Sequence, residues 1–273
     1  MTATTLTPTL SVERPQRSAL GWAVADTKTV AWRNLVTLRR LPQLLVFATV
    51  QPVIFVLMFR YVFGGAIHIT NFPYVDYLMP GVFAQTVAFG AIQTGIGLAE
   101  DLHKGLIERF RSLPMARSAV LAGRTLADLV RNVFVVLLML AIGYLVGFRI
   151  HTNVLGLVAG MAVMLLFGFS LTWIFAIIGL STSNAETAQA ASFPILAPLV
   201  FASSAFVPVS SMPGWLQAFA KNQPVSIAID AVRSLVLGGQ FSNTGKVVLS
   251  LAWSVGIIAV FAPLAVRRYR RAA

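Results

Sequence analysis

Of the chain's 273 residues, 57% are hydrophobic and only 11% charged, and the mean hydropathy is +0.80. A soluble domain carries about 25% charged residues, so this chain cannot cover a water-facing surface, and hydrocarbon is the natural solvent for most of it. Its 21 Lys and Arg against 9 Asp and Glu give a net charge of +12. These cations sit in blocks between apolar runs, which points to membrane topology and anionic headgroups rather than to nucleic acid, while the lack of cysteine excludes disulfides, thiolate metal sites and thiol nucleophiles.

Residues 1–17 are polar and rich in Thr and Pro, without a short apolar core and cleavage site. They read as a disordered cytoplasmic tail rather than a signal peptide. Residues 18–40, SALGWAVADTKTVAWRNLVTLRR, are too charged to span. Leu20, Val24, Trp32, Leu35 and Val36 share a broad apolar face at helical spacing, and Lys28, Arg33, Arg39 and Arg40 take much of the rest. This predicts an amphipathic helix on the membrane surface, anchored by tryptophan; the alternative is a solvated linker helix.

Six runs then reach the about 20 apolar residues that a spanning helix needs: 43–63, 77–98, 126–147, 154–180, 187–208 and 246–266. An even number of spans places both termini on one side. That side holds Arg14, Arg17, Lys28, Arg33, Arg39 and Arg40, then Lys104, Arg109, Arg111, Arg117, Arg124 and Arg131, and finally Arg267, Arg268, Arg270 and Arg271. The other holds only Arg60, Arg149, Lys221, Arg233 and Lys246. The positive-inside rule therefore predicts cytoplasmic termini, with residues 267–273 a basic cytoplasmic tail anchored on anionic lipid.

Between the second and third runs, Leu102, Leu106, Phe110 and Leu113 draw one apolar stripe along a short helix that Pro114 ends. Glu100 and Lys104 form a favourable i,i+4 pair on another face. Such a helix seats in a groove on a partner or lies in the headgroups, and the spacing leaves both open. Arg117, Arg124, Asp128 and Arg131 share one face at the cytoplasmic start of the third run. Asp128 reads as a structural ion pair with Arg124 or Arg131 rather than as a proton site. After the fifth run, Pro208, Pro213 and Pro224 break residues 206–239 into pieces too short to span. This predicts two short helices, about 213–220 and 224–237, dipping into the outer leaflet.

Two stretches carry a family resemblance: ERFRSLPMARSAVLAGRTLADLVR at residues 108–131 and FVPVSSMPGWLQAFAKNQPVSIAIDAVR at 206–233. Together with their order and spacing relative to the spans, they resemble the type-2 ABC transporter permeases, and the first is especially similar to the daunorubicin-resistance type. The resemblance runs from about residue 20 to the end. It implies an all-α polytopic membrane protein with an N-terminal amphipathic surface helix and a six-span domain over residues 41–266. Within that domain it implies a cytoplasmic coupling helix at about 100–114 and outer-leaflet re-entrant helices at about 209–238, before the last span. By the same resemblance the chain is the permease subunit of an ATP-driven exporter in the bacterial plasma membrane. Such an exporter moves a hydrophobic or amphipathic substrate (drug, lipid or lipid-linked glycan) outward by alternating access.

The resemblance also assigns the contact with the ATPase subunit to Glu100, Asp101, Leu102, Lys104, Gly105, Leu106, Glu108, Arg109, Phe110, Arg111, Leu113 and Pro114. Arg33, Arg39 and Arg40 would be its neighbours. Two ATPase subunits, which bind ATP and Mg, would work with two permease copies as a homodimer or with a close homologue.

The chain carries no phosphate-cradling G-x-x-x-x-G-K-[ST] loop. Its one Gly-Lys pair, Gly245–Lys246, is followed by Val247, with Gln240 where the first glycine would stand. A motor must therefore be another chain, and this one is not expected to be an enzyme. No acid falls near the centre of a predicted span, which argues against the alternative, a proton-coupled secondary drug transporter. His68, His103 and His151 are scattered and predicted on opposite sides, which excludes a shared metal site. Among the polar residues within spans, Gln51, Gln85, Gln93, Ser203 and Ser204 could face an interior; with Phe47, Phe55, Phe59 and Phe201 they are candidates for a substrate path, or for glue between helices. The family's path, between the first, second and fifth spans of two copies, favours Gln51, Phe55, Phe59, Gln85, Phe201 and Ser203.

Overall fold

The computed structural model describes residues 25–32, 36, 42–67, 69, 71–105 and 117–272. The expected tail at 1–17 lies outside the described residues, as do Arg33, Arg39 and Arg40 of the surface helix. Helix α1 covers residues 25–32, and α2, Pro42–Met58, runs into a π-helical turn at Phe59–Phe63. Then follow α3 (Tyr74–His103), α4 (Arg117–Val146), α5 (Val154–Gly179) and α6 (Ala185–Phe201). Two short helices, α7 (Gly214–Asn222) and α8 (Pro224–Val236), precede the last, α9 (Thr244–Ala272). No strand occurs among the described residues.

Local chemistry accounts for several helix starts. The Asn153 side chain accepts from the Gly156 N–H and opens α5. Asn184 and Thr187 form a reciprocal capping box at the start of α6. Gln223 caps α8, and Pro224 takes the first helical position, where a missing N–H costs nothing.

Among the described residues, four helices are long and apolar enough to cross a membrane: Tyr74–His103, Leu121–Val146, Val154–Gly179 and Thr244–Arg271. They coincide with the second, third, fourth and sixth runs. The fifth run, expected to 208, is helical only to Phe201. Its 17 residues span roughly 25 Å at 1.5 Å each, short of an about 30 Å hydrocarbon core. Pro194 and Pro198 remove two backbone donors from it, and the residues beyond it spend their carbonyls on side chains from elsewhere. The first run falls on α2 and its π turn, where residues 49–63 form a shorter apolar helix.

Helix α3 is the axis of the fold. It packs on α4, α5, α6 and α8, and 78% of its most apolar window is buried, against 17% for α9 on the outside. Its crossing with α5 is a backbone contact: a Cβ at Gly95 would fall on the Phe175 carbonyl oxygen, and one at Gly179 on that of Gly95. A Cβ at Gly81 would fall on the Ala205 carbonyl, so the stretch after α6 also lies directly against α3. At the other end of the molecule, α1 leans on α4 where Gly123 admits Thr27 and Val30.

Candidate functional site

Three groups of side chains gather around α3. The first is an ion-pair ladder between the last turns of α3 and the start of α4. Spacing leaves two partners open for Asp128, and the structure selects Arg131, whose Nη1 lies 3.1 Å from Asp128 Oδ1. Thr94 donates its hydroxyl to the other carboxylate oxygen at 2.7 Å, and Arg131 Nη2 donates to the Gly90 carbonyl at 2.8 Å. Arg124 instead reaches across to Asp101, filling the space that Gly97 leaves on α3. Asp128 thus has every near charge neutralised, as a structural pair should.

Glu100, Asp101 and Leu102 form the end of α3 itself, and Lys104 and Gly105 form the turn after it. The described part of the expected coupling helix at about 100–114 thus continues α3. Gly105, at φ +65°, breaks the helix in the left-handed region that glycine tolerates. Lys104 Nζ donates to Glu100 at 2.6 Å, and that carboxylate holds the ammonium above its usual pKa. Leu102, expected on a partner-facing stripe, packs within the chain on a cluster containing Leu98, Leu121, Trp173 and Tyr269. Leu106, Glu108, Arg109, Phe110, Arg111, Leu113 and Pro114 lie outside the described residues.

The second group lines a cavity of about 380 Å³ between α2, α3 and α4. Gln51 and Pro52 come from α2, and Arg124, Arg131, Asn132 and Val135 from α4. Helix α3 supplies Gln85, Thr86, Phe89, Gly90, Gln93, Ile96, Gly97 and Glu100, residues three or four apart and hence on one face. Four carboxamides therefore meet here, of which the sequence singles out Gln51, Gln85 and Gln93; Asn132 is added by the fold.

Of the candidate aromatics, Phe55, Phe59 and Phe201 belong to one cluster, with Phe55 one turn after Gln51 on α2, while the Phe47 side chain lies outside the described residues. Phe59 stacks on Phe206 at 4.5 Å, and Phe55 lies 6.0 Å from Phe59, 6.1 Å from Phe201 and 5.9 Å from Phe206. Phe206, missed from sequence, touches all three of the others. Ser203 does not join either group: its hydroxyl donates to the Val200 carbonyl and accepts from the Ala205 N–H, holding the turn after α6.

The third group is a clamp that sequence reasoning did not find. Arg233 on α8 is 1% exposed. Its Nε and Nη2 donate to the Tyr77 carbonyl at 3.1 and 2.8 Å, and Nη2 also donates to the carbonyls of Ser204 at 2.7 Å and Ala205 at 3.4 Å. The guanidinium lies 3.5 Å from the centre of the Tyr77 ring, and Nη1 is 3.4 Å from Asp230. Tyr74 donates its hydroxyl to Phe206 O at 2.8 Å, and Tyr77 shares its own between Ser204 O and Val207 O. Gln223 Nε2 donates to Leu199 O at 2.7 Å. Non-helical backbone survives in apolar surroundings only when its polar groups are bonded internally, and these four side chains supply that bonding. The only sequence signal was a single cation in an apolar helix.

Asp76, 1% exposed at the start of α3, holds the α4–α5 turn: it accepts from the Arg149 N–H at 2.8 Å, and His151 Nε2 lies 2.7 Å away. Asp76→Ala is expected to cost about 1–3 kcal/mol, because the Arg149 N–H loses its acceptor. A lower melting temperature of the purified protein would register it, with Asp76→Asn intermediate.

The profile of the ABC-2 type transporter family matches residues 25–237. The chain is 41% identical over 259 residues to the daunorubicin resistance ABC transporter permease protein DrrB1 of Streptomyces coeruleorubidus, covering 94% of this chain and 89% of that one. It is 31% identical over 233 residues to the probable doxorubicin resistance ABC transporter permease protein DrrC of Mycobacterium tuberculosis, covering 82% and 81%. It is also 24% identical over 238 residues to the putative transport permease ycf38 of Pyropia yezoensis, covering 84% and 80%. The chain therefore belongs to the ABC-2 type transporter family, as a membrane permease subunit related to its drug-resistance exporters.

Proposed function

We propose that this chain is the membrane half of an ATP-driven exporter that moves a hydrophobic or amphipathic compound outward by alternating access. The observation that carries this reading is the polar cavity along α3, whose charges are neutralised in pairs, together with the stacked phenylalanines that Phe55 joins one turn along α2 from the lining residue Gln51. Such a site suits a molecule with polar edges and an apolar body, and it disfavours a strongly charged solute. The names of the relatives, which refer to daunorubicin and doxorubicin, point the same way.

In this reading α2 and α6 also cross, giving six spans, with α7 and α8 dipping into the outer leaflet. Both termini face the bacterial cytoplasm, as the cation blocks favour. Residues 100–114 dock on an ATPase subunit that holds ATP and Mg. With Leu102 packed within the chain, the contact falls on the exposed Glu100 and Lys104 and on the segment beyond Gly105. The working unit contains two permease copies and two ATPase subunits.

The test is co-purification with the product of a neighbouring reading frame that carries Walker motifs, followed by reconstitution. Inside-out vesicles are expected to accumulate daunorubicin only with ATP and both subunits present. Accumulation by the permease alone on a pH gradient would sink the reading and restore a proton-coupled transporter.

A further inference from the structure

We infer that α9 links the turn proposed to meet the ATPase with the short helices α7 and α8 at its other end, and that Tyr269 and Lys246 are the positioning residues of that link. This rests on the exporter reading, in which residues 100–114 dock on the ATPase subunit.

The two ends of α9 are fastened by different chemistry. On its last turn Tyr269 is 3% exposed and sits with Ala265, Leu98, Leu121 and Trp173 in a cluster separate from the main core. Leu102 packs against this cluster, just before Gly105 and the proposed docking segment. Arg267, Arg268, Arg270 and Arg271 are exposed, so Tyr269 is the inward contact of that turn. A displacement at Gly105 therefore reaches α9 through Leu102 and Tyr269. On the first turn of α9, Lys246 Nζ donates to the Lys221 carbonyl at the end of α7 at 3.4 Å and lies 3.7 Å from the Asp230 carboxylate of α8. Asp230 also accepts from the Ser204 hydroxyl at 2.9 Å and lies 3.4 Å from Arg233. Lys246 is thereby tied to the clamp on the backbone after α6.

Lys246 and Tyr269 stand roughly 35 Å apart along one continuous helix, at 1.5 Å per residue. Among the described residues of α9, only Ser250, Ser254, Ile257, Ala265 and Tyr269 are buried, one narrow stripe at helical spacing. Pro263 interrupts the backbone ladder near the last turn, and the part beyond it is held by Ala265 and Tyr269, 0% and 3% exposed. Coupling between distant sites is carried by rigid elements fixed to what moves at each end. Helix α9 meets that description: it is long, lightly packed along its length and anchored at both ends.

The test measures how much daunorubicin is carried per ATP hydrolysed by the full chain with its ATPase in inside-out vesicles. A loss of folded complex lowers transport and hydrolysis together and leaves that ratio unchanged. A broken link lets hydrolysis continue and lowers the ratio. Tyr269→Ala empties the cluster and is expected to lower the ratio about fivefold or more, the range typical of coupling between distant sites. Tyr269→Phe keeps the ring and should keep the ratio. Lys246→Gln acts at the other end without opening a cavity, so it decides the outcome if Tyr269→Ala yields too little folded complex, and a loss of about fivefold is expected there as well. Since both residues act through one helix, the double variant should fall no further than the lower single variant. An unchanged ratio in either single variant overturns the link, and so does a double variant whose loss is the product of the two. Those results, with wild type still exporting daunorubicin on ATP, leave the exporter reading standing without the link. Failure of wild type to transport with ATP would instead remove the reading on which the link rests.

Discussion

Replacing Arg233 with alanine is expected to lower the melting temperature of the solubilised protein by on the order of 10 °C and to cut its abundance in the membrane. The guanidinium satisfies the carbonyls of Tyr77, Ser204 and Ala205 and faces Asp230. Its loss removes the charged donor from those carbonyls in a water-poor interior, leaving Ser204 O with the Tyr77 hydroxyl, and leaves Asp230 to Ser204 and Lys246. Breaking one partner out of a buried charged network costs about 3–5 kcal/mol, a large part of the about 5–15 kcal/mol that holds a typical fold. Arg233→Lys separates charge from geometry. Lysine keeps the cation but is a single point with no fork to serve Tyr77 and Ser204 together, so most of the loss should persist. A melting temperature for Arg233→Ala within about 2 °C of wild type would mean that water satisfies this backbone and that the clamp is incidental.

Gly95→Val is expected to prevent formation of the folded helix bundle, and the milder Gly95→Ala settles why by its sign. On helix propensity alone, alanine stabilises a helix interior by about 1 kcal/mol over glycine. Here the new Cβ would sit on the Phe175 carbonyl oxygen, in a crossing where α3 and α5 touch backbone to backbone. Overpacking of that kind costs about 1–3 kcal/mol or more, and the obstacle is backbone, which cannot rotate away. Gly95→Ala should therefore lower the melting temperature, and Gly179→Ala should do the same from the other side of the crossing. Gly256→Ala on α9 is the control: nothing lies within 4 Å of its added Cβ, so propensity should win and the change should be neutral or stabilising. If Gly95→Ala and Gly256→Ala shift the melting temperature equally, the crossing does not depend on glycine.

The same two contacts explain where reading the sequence stops. Apolar length alone located the helices Tyr74–His103, Leu121–Val146, Val154–Gly179 and Thr244–Arg271, since about 20 apolar residues have one stable arrangement in hydrocarbon. Two motif stretches sufficed for the family, and helical spacing for an ion pair at Asp128, though not for the choice between Arg124 and Arg131. These are signals carried within one helix or one loop. The end of α6 was not legible. It depends on the Tyr77 hydroxyl reaching the Ser204 carbonyl 127 residues away, and no periodicity encodes that contact. Nor was it legible that Leu102 packs within the chain, because its stripe spacing suits an outer partner and an inner cluster equally well.

Candidate polar residues in spans could be named from the sequence, but not sorted. Gln51, Gln85 and Ser203 look alike as isolated polar groups in apolar runs. Tertiary structure placed the two glutamines around one cavity and spent Ser203 on a local turn, because hydrogen-bond partners come from whichever backbone the fold brings near. The sequence by itself thus determined the solvent, the long helices and the family. Tertiary structure alone decided which backbone goes non-helical, which cation satisfies it and which amides share a cavity, since those depend on distances between residues far apart in the chain.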